Sequence, residues 1–511
     1  MTRASAALLV AAVLAVGAAA GFDAAVPPPP VEAPAPTPVA PAAAGIWYCP
    51  VTAASDEAAT LSIAAVGDAA SAVRVVRYSE AGPVDDPVVT VAPGEALDVV
   101  LAPGEASRPV AVRWAGGPAA VTWRVDGATD GAAGACLPAP SATWHLTGFD
   151  TTLGSAATLH LFNPFAEDAV VSVVLATLEG AVRLRLAERI AVPGGSAVRV
   201  ALRDLAPEEP DLGATVEVVT GRVVAGGEQV LAPPEGVSGP RGRAVVPAAT
   251  APSSGWSFAF ARTEEAAVSW LSVQNPGLRE AAVEVRVSDP RPDGLALLSE
   301  VSVPAGGIVR IDLAETSATA EFAVGLAVVN DEPVVVTRLT GLRTQGGRRG
   351  VAISLGAPDA AVSWALPGGG TAGRDGRLSI YNPGAESATV TVAAAGAPTE
   401  WSAIAVGPNG RATVELSQAG EDVPTLPVRI TADRPVVPEL RMIADGESLG
   451  FTTVVGLPAL AWTGPISGPS VRRDPSLAGR PLLPTGPRTP PAPTPDAVPP
   501  SSTTPVVPND G

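Results

Sequence analysis

Apolar and polar residues alternate in short runs along most of this chain, and each run stops at a turn rich in proline or glycine. Val198, Val200 and Leu202 alternate with Arg199 and Ala201. A period of two sends alternate side chains to opposite faces, so such a run predicts a strand with one buried face. The same landmark recurs with a Pro/Gly turn before it. Val91-Ala92-Pro93-Gly94-Glu95 leads to Leu97 and Leu101, and Val192-Pro193-Gly194-Gly195 leads to Val198 and Leu202. Val303-Pro304-Ala305-Gly306-Gly307 leads to Val309 and Leu313, and Val406-Gly407-Pro408-Asn409-Gly410 leads to Val414 and Leu416. Later strands are predicted at Val110-Ala111-Val112, Val216-Glu217-Val218, Leu326-Ala327-Val328 and Val428-Arg429-Ile430. Asp289-Pro290-Arg291-Pro292-Asp293-Gly294 reads as a hairpin loop. Outside the N-terminal segment no run of helical length carries an amphipathic 3.6-residue period.

A second pattern orders these strands. Trp47, Trp144, Trp256 and Trp364 each precede a strand motif by 14 or 15 residues: Leu61-Ser62-Ile63, Leu159-His160-Leu161, Leu271-Ser272-Val273 and Leu378-Ser379-Ile380. The last three motifs end in Asn163-Pro164, Asn275-Pro276 and Asn382-Pro383. The tryptophans stand 97, 112 and 108 residues apart, which is one domain per repeat and too long for a solenoid turn. About seven short strands per repeat, with turns between them, predict an all-β array of four immunoglobulin-like β-sandwich modules in series. The expected division is module 1 at 45–138, module 2 at 139–240, module 3 at 250–345 and module 4 at 355–462, with Pro/Gly-rich joints near 232–254 and 341–358. Residues 26–44 form a Pro/Ala spacer and residues 463–511 a Pro-rich tail, both expected to be extended or disordered.

Composition narrows the chemistry. The chain has 511 residues and a net charge of −18, and all 33 of its basic residues are arginine. That charge argues against nucleic acid as a partner. The lack of lysine excludes a Walker A loop and Schiff-base chemistry. Residues 1–25 hold one arginine and then an uncharged run from Ala4 to Phe22. This is an export signal, either cleaved after a small-residue stretch or retained as a membrane anchor. Membrane contact is expected only through that segment, and only if it is uncleaved. Cys49 and Cys136 flank the strands of the first repeat. In a sandwich whose first and last strands lie close, a disulfide between them staples the module, at up to about 4–5 kcal/mol. Two buried free thiols are the alternative.

Candidate chemistry is sparse. His160 takes the slot held by Ser62, Ser272 and Ser379 in the other repeats, and His145 follows Trp144 as Ser257 follows Trp256 and Ala365 follows Trp364. Alternation puts both histidines on the face opposite the core, so they are expected in solvent, where neighbouring positions across the sheet would allow at most adventitious metal binding. No catalytic residue, cofactor or metal site is expected from them. The four repeated tryptophans are expected in the cores and the three Asn-Pro pairs in structural turns. Trp114, Trp123, Trp270, Trp401 and Trp462 lie outside the repeated slot and are the candidates for stacking on carbohydrate. The acidic pairs Asp85-Asp86, Glu208-Glu209, Glu264-Glu265 and Glu421-Asp422 fall in predicted loops without calcium-loop spacing.

With these residues in view, the chain resembles an uncharacterised actinobacterial family of exported or membrane-anchored proteins built of sandwich-like repeats. The resemblance rests on the N-terminal apolar segment, Trp47-Tyr48-Cys49-Pro50, Cys136 and the Leu-x-Leu-x-Asn-Pro strands, and covers roughly residues 45–460. It implies a fold and a location and carries no catalytic residues. The expected function is that of a non-enzymatic structural or interaction protein of the cell envelope. It would be secreted or anchored by its N-terminal helix and would hold a rod of four modules outside the membrane. The rival readings are a cell-wall glycan-binding protein and a carboxylate-based envelope hydrolase, and the partners they imply are an envelope protein or a wall glycan.

Overall fold

A computed structural model describes residues 44–458 except 80–81, 127–130, 265–266, 289–294, 315–320, 343–349, 369–373, 395–400, 420–426 and 445–450. The N-terminal apolar segment, the spacer up to its last residue, the tail, the Asp289–Gly294 loop and Trp462 lie outside the described residues. The described chain is all-β: short strands, three single-turn 3-10 segments and no helix long and apolar enough to cross a membrane.

Each tryptophan repeat folds as two sheets enclosing one apolar core. In the first repeat one sheet runs Ala44–Cys49, Val110–Gly116, Ser71–Ser79, Gly82–Asp85 in spatial order, with Val89–Val91 added to Ser71–Ser79. The facing sheet runs Ala96–Leu101, Ala59–Ala65, Ala119–Asp126, Gly131–Ala135. The second repeat copies this order strand for strand, from Thr143–Phe149 to Gly242–Val246. The first repeat thus carries nine strands where seven were expected. Its third strand is covered in two pieces by the short edge strands Gly82–Asp85 and Val89–Val91, and a final strand, Gly131–Ala135, follows Ala119–Asp126. Here the consecutive strands Val110–Gly116 and Ala119–Asp126 lie in opposite sheets. In the fourth repeat their counterparts fuse into one strand, Val428–Ala444, which passes from one sheet to the other and joins both.

Those final strands move the boundaries read from composition. Gly242–Val246 pairs with Val224–Leu231, and Gly350–Leu355 pairs with Val335–Leu342. Both lie beyond residues 240 and 345, inside segments expected to be joints. Ala44, at the end of the expected spacer, already begins a strand.

No linker separates the repeats. The residue after each tryptophan pairs with the chain as it leaves the same repeat: Tyr48 with Leu137, His145 with Ala249 and Ser257 with Ala357, each through two reciprocal backbone bonds of 2.8–2.9 Å. Ala365 pairs with Leu457 in the fourth. Leu137, Ala249 and Ala357 each stand seven residues before the next tryptophan, so the chain passes straight into the next core. Such a path leaves no freedom for a rod of swivelling beads. The repeats instead close into a ring. The final strands Gly131–Ala135, Gly242–Val246, Gly350–Leu355 and Phe451–Val455 pack first on second, second on third, third on fourth and fourth on first. The expected rod is therefore corrected to a closed arrangement.

Ring closure also reverses the reading of the outer faces. The first sheet of one repeat covers the second sheet of the next. Tyr48 and Tyr78 from the first repeat meet Phe162 of the second edge-on, at 6.3 and 4.8 Å. Trp270 and Leu339 from the third repeat join the apolar cluster of the second. Ala259 and Ala323 of the third pack on Tyr381 of the fourth. Faces that alternation sends away from a module's own core are buried by its neighbour.

Candidate functional site

The repeated tryptophans anchor each core in one way. Trp47, Trp144, Trp256 and Trp364 are buried, and each indole Nε1 donates to a backbone carbonyl: Ala119 at 2.6 Å, Val223 at 3.0 Å, Val334 at 2.8 Å and Val436 at 2.8 Å. The Asn-Pro pairs are equally regular. The Asn163 side chain donates to the carbonyls of Glu167 and Val192, Asn275 to those of Arg279 and Val303, and Asn382 to those of Glu386 and Val406. Each Asn Oδ1 accepts the N–H two residues on, from Phe165, Gly277 and Gly384 respectively. The turn is closed by the Asn side chain, and Pro164, Pro276 and Pro383 hold the strand end extended. Cys49 and Cys136 form a disulfide that ties the first strand to the chain just beyond the last.

Both histidines are corrected. Neither is in solvent, and they lie in different sheets on opposite faces of the second repeat. His160 faces the first repeat. Its Nδ1 lies 3.4 Å from Thr52 Oγ1, and its Nε2 lies 3.8 Å from Glu228. Burial lowers its pKa, with Glu228 opposing. Glu228 is itself bonded by Arg243, which reaches Glu57 of the first repeat at 2.6 Å. Burial pushes the Glu228 carboxyl up, but His160 and Arg243 together hold it below its ordinary value. A hydroxyl, an imidazole and a carboxylate in a row have the composition of a nucleophilic triad. The Thr52–His160 hydrogen bond is long, His160 and Glu228 stand 3.8 Å apart, and His160 is off the cavity described below. His145 faces the third repeat, with Nδ1 3.1 Å from Thr215 Oγ1, which also accepts from Gln274 Nε2 of that repeat at 3.0 Å. Burial pushes its pKa down to about 4. Ser62, Ser272 and Ser379, which take the place of His160 in the other repeats, are buried too.

The other candidates disperse. Trp114, Trp123 and Trp270 are buried, and Trp270 lies under the Arg310 guanidinium at 3.7 Å. Trp401 is half-buried at a sheet edge. These side chains make no shared platform for a sugar. Asp85 meets Arg74 at 2.9 Å, Asp86 meets Arg77 at 2.9 Å, and Glu208 meets Arg203 at 2.8 Å, while Glu264 pairs with Arg262. Glu265, Glu421 and Asp422 lie outside the described residues. Among the described residues no cluster of three His, Cys, Asp or Glu side chains is placed to hold a metal.

What the strands do build together is a cavity of about 400 Å³ on the ring axis. Leu137 and the disulfide line it from the first repeat, Val246 and Pro247 from the second, Ile353 and Leu355 from the third, and Thr453, Val455 and Leu457 from the fourth. The final strands press together at their first residues. A Cβ on Gly242 would stand 2.7 Å from the Val351 nitrogen, and one on Gly350 would stand 2.5 Å from Phe451 Cβ. Only glycine permits that approach. The same strands line the cavity with their last residues, so it opens away from the glycine collar. Ile353, Ser354 and Thr453 are buried, whereas Pro138 and Pro358 are exposed at the rim.

Behind Ser354 and Thr453 lies a fully buried ion pair. Arg338 of the third repeat grips Glu439 of the fourth with two bonds of 2.9 and 2.6 Å, and both side chains are 0% exposed. Ser354 Oγ donates to Glu439 at 3.0 Å and is bonded to Thr453. Nearby, Glu321 meets Arg411 at 2.9 Å and is bonded by Arg441. Burial raises the Glu321 pKa, but the two arginines outweigh it and hold the carboxyl below its ordinary value.

The fold and site define a disulfide-stapled, all-β repeat protein with buried ion pairs in the seams between repeats and an apolar cavity on its axis. The chain belongs to DUF5719, a family of unknown function, matched over residues 104–340 and again over 237–455. The two matches overlap and are offset by about one tryptophan repeat, as expected if the family unit spans more than one repeat and slides along the array. No curated protein matches the chain.

Proposed function

We propose that this chain is a non-enzymatic interaction protein of the cell envelope that works outside the cytoplasm. In this reading four β-sandwich modules, immunoglobulin-like in size and two-sheet build, stand outside the membrane behind the N-terminal segment and the proline-rich spacer. The observation that carries the reading is the Cys49–Cys136 disulfide, because such bonds persist in oxidising compartments and are kept reduced in the cytosol. The apolar run from Ala4 to Phe22 supports the same location. The interaction role is supported by how the charged side chains are used. Arg338, Glu439, Glu228 and Arg243 hold repeat to repeat, which makes a rigid frame for presenting surfaces. Subcellular fractionation with thiol labelling tests the proposal. The protein is expected outside the cytoplasm with no reactive thiol under denaturing, non-reducing conditions. A cytoplasmic protein with two labelled cysteines overturns it.

A further inference from the structure

We propose that the axial cavity binds a single hydrocarbon chain, acyl or isoprenoid, of an amphiphile whose uncharged head group stays at the proline rim. This deepens the envelope reading and rests on it for the source of the lipid.

The walls select the class of ligand. Asp359 is the one charged residue on the cavity lining, and it sits exposed at the rim. An ion drawn inside would be desolvated without a partner, which is strongly unfavourable. The polar side chains deeper in are Ser354 and Thr453, and both hydroxyls are already engaged, with each other and with the buried ion pair. Among the described residues, no buried side-chain polar atom on this lining lacks a partner. A sugar or other polyhydroxyl ligand would therefore lose its water and find no side-chain donor or acceptor to replace it. Hydrocarbon loses nothing by entering, and a dry apolar cavity is known to take up apolar molecules.

Shape and origin point the same way. The volume of about 400 Å³ lies in the range of small-molecule sites. The space arises from an asymmetry in the ring. The final strand of the first repeat, Gly131–Ala135, is Gly-Ala-Ala-Gly-Ala, whereas the other three carry Val, Ile, Thr or Phe. A wall of small residues beside the disulfide leaves room that three bulkier quasi-equivalent strands would fill. Exposed Pro138, Pro358 and Asp359 mark the rim as the end at which a chain enters. The acidic Asp359 at that end, on a chain of net charge −18, disfavours an anionic head.

Calorimetric titration of the full exported chain with 1-dodecanol tests this, with lauric acid in parallel at neutral pH. One dodecanol per chain is expected, with lauric acid at least tenfold weaker. Ala135→Trp plugs the exposed part of the lining and should weaken dodecanol at least tenfold while leaving the melting temperature unchanged. If that variant does not fold, Leu137→Trp serves as the second plug from the same wall. Absence of saturable dodecanol binding, binding that either folded plug leaves unchanged, or lauric acid binding as tightly as the alcohol overturns the proposal. Fractionation bears on the location and titration on the cavity, so the two readings fail separately.

Discussion

Between the third and fourth repeats, Arg338 and Glu439 are sealed from water and bound through two hydrogen bonds. Between the fourth and the first, Arg429 meets Asp68 at 2.7 Å in solvent, with the two side chains 51% and 87% exposed. Leu457 is the fourth-repeat residue packed on the core cluster of the first. The two seams use the same kinds of strand in a quasi-equivalent ring, but their histories differ. Consecutive repeats are joined by the chain itself, through the seven residues that lead from each exit pairing to the next tryptophan. The closing seam has no covalent help and is the thinner of the two. The ring is thus a continuous, tightly coupled arc with one weak joint, and that joint lies beside the disulfide-stapled repeat and the small-residue wall of the cavity.

The comparison can be broken most strongly at the staple. Replacing Cys49 and Cys136 by Ala should destabilise the first repeat by about 4–5 kcal/mol in the chain-entropy picture, for a sequence separation of 87. Hydrogen exchange should show the loss concentrated in residues 44–136 and reaching the closing seam before the seam between the third and fourth repeats. Uniform loss around the ring would contradict a weak joint.

Glu439→Ala attacks the strong seam and should cost about 3–5 kcal/mol, because it leaves Arg338 charged and buried without its partner. The double replacement Arg338→Met with Glu439→Leu should recover most of that loss in urea denaturation. A double variant as unstable as the single one would mean that the pair contributes more than its own charges.

Acid sharpens the comparison at the seam between the second and third repeats. His145 has a native pKa of about 4 against an ordinary 6.5, so the unfolded chain binds a proton that the folded chain refuses. Stability from this group is complete above pH 6.5 and is lost as pH falls toward 4, by about 3 kcal/mol in all. His160 is shifted in the same direction by its burial and adds to the loss at the first seam. His145→Gln should flatten the profile between pH 6.5 and 4, and an unchanged profile would remove His145 as the source.

The smallest effect is expected at the closing seam. Arg429→Ala should change stability by less than about 0.5 kcal/mol, as exposed pairs do. A loss above about 2 kcal/mol would show that the joint is stronger than its contacts suggest.

Much of this architecture was legible in the residues. The tryptophan spacing, the Asn-Pro turns, the alternating strands and the two cysteines each express a local rule. A large indole favours a core, an Asn before Pro closes a turn, and two cysteines flanking the strands of one repeat suit a staple. The final strands were missed because Gly131-Ala132-Ala133-Gly134-Ala135 and its counterparts are short, and those of the second and third repeats, Gly242–Val246 and Gly350–Leu355, fall in segments read as joints. The overlooked signal was a glycine opening this strand in the first three repeats, at Gly131, Gly242 and Gly350, with the exit residue six or seven positions later.

The histidines mark the boundary between the two kinds of information. Alternation along a strand determines which side chains point away from a module's own core, and it placed His145 and His160 correctly in that respect. It says nothing of what covers the outward face. That was decided by ring closure, through pairings such as Tyr48 on Phe162 and Arg338 on Glu439 between residues 114 and 101 positions apart. Sequence periodicity reports the local environment of a strand. Contacts between separately folded units depend on how their surfaces fit, so the seams, the buried charges and the axial cavity exist only once all four repeats have met.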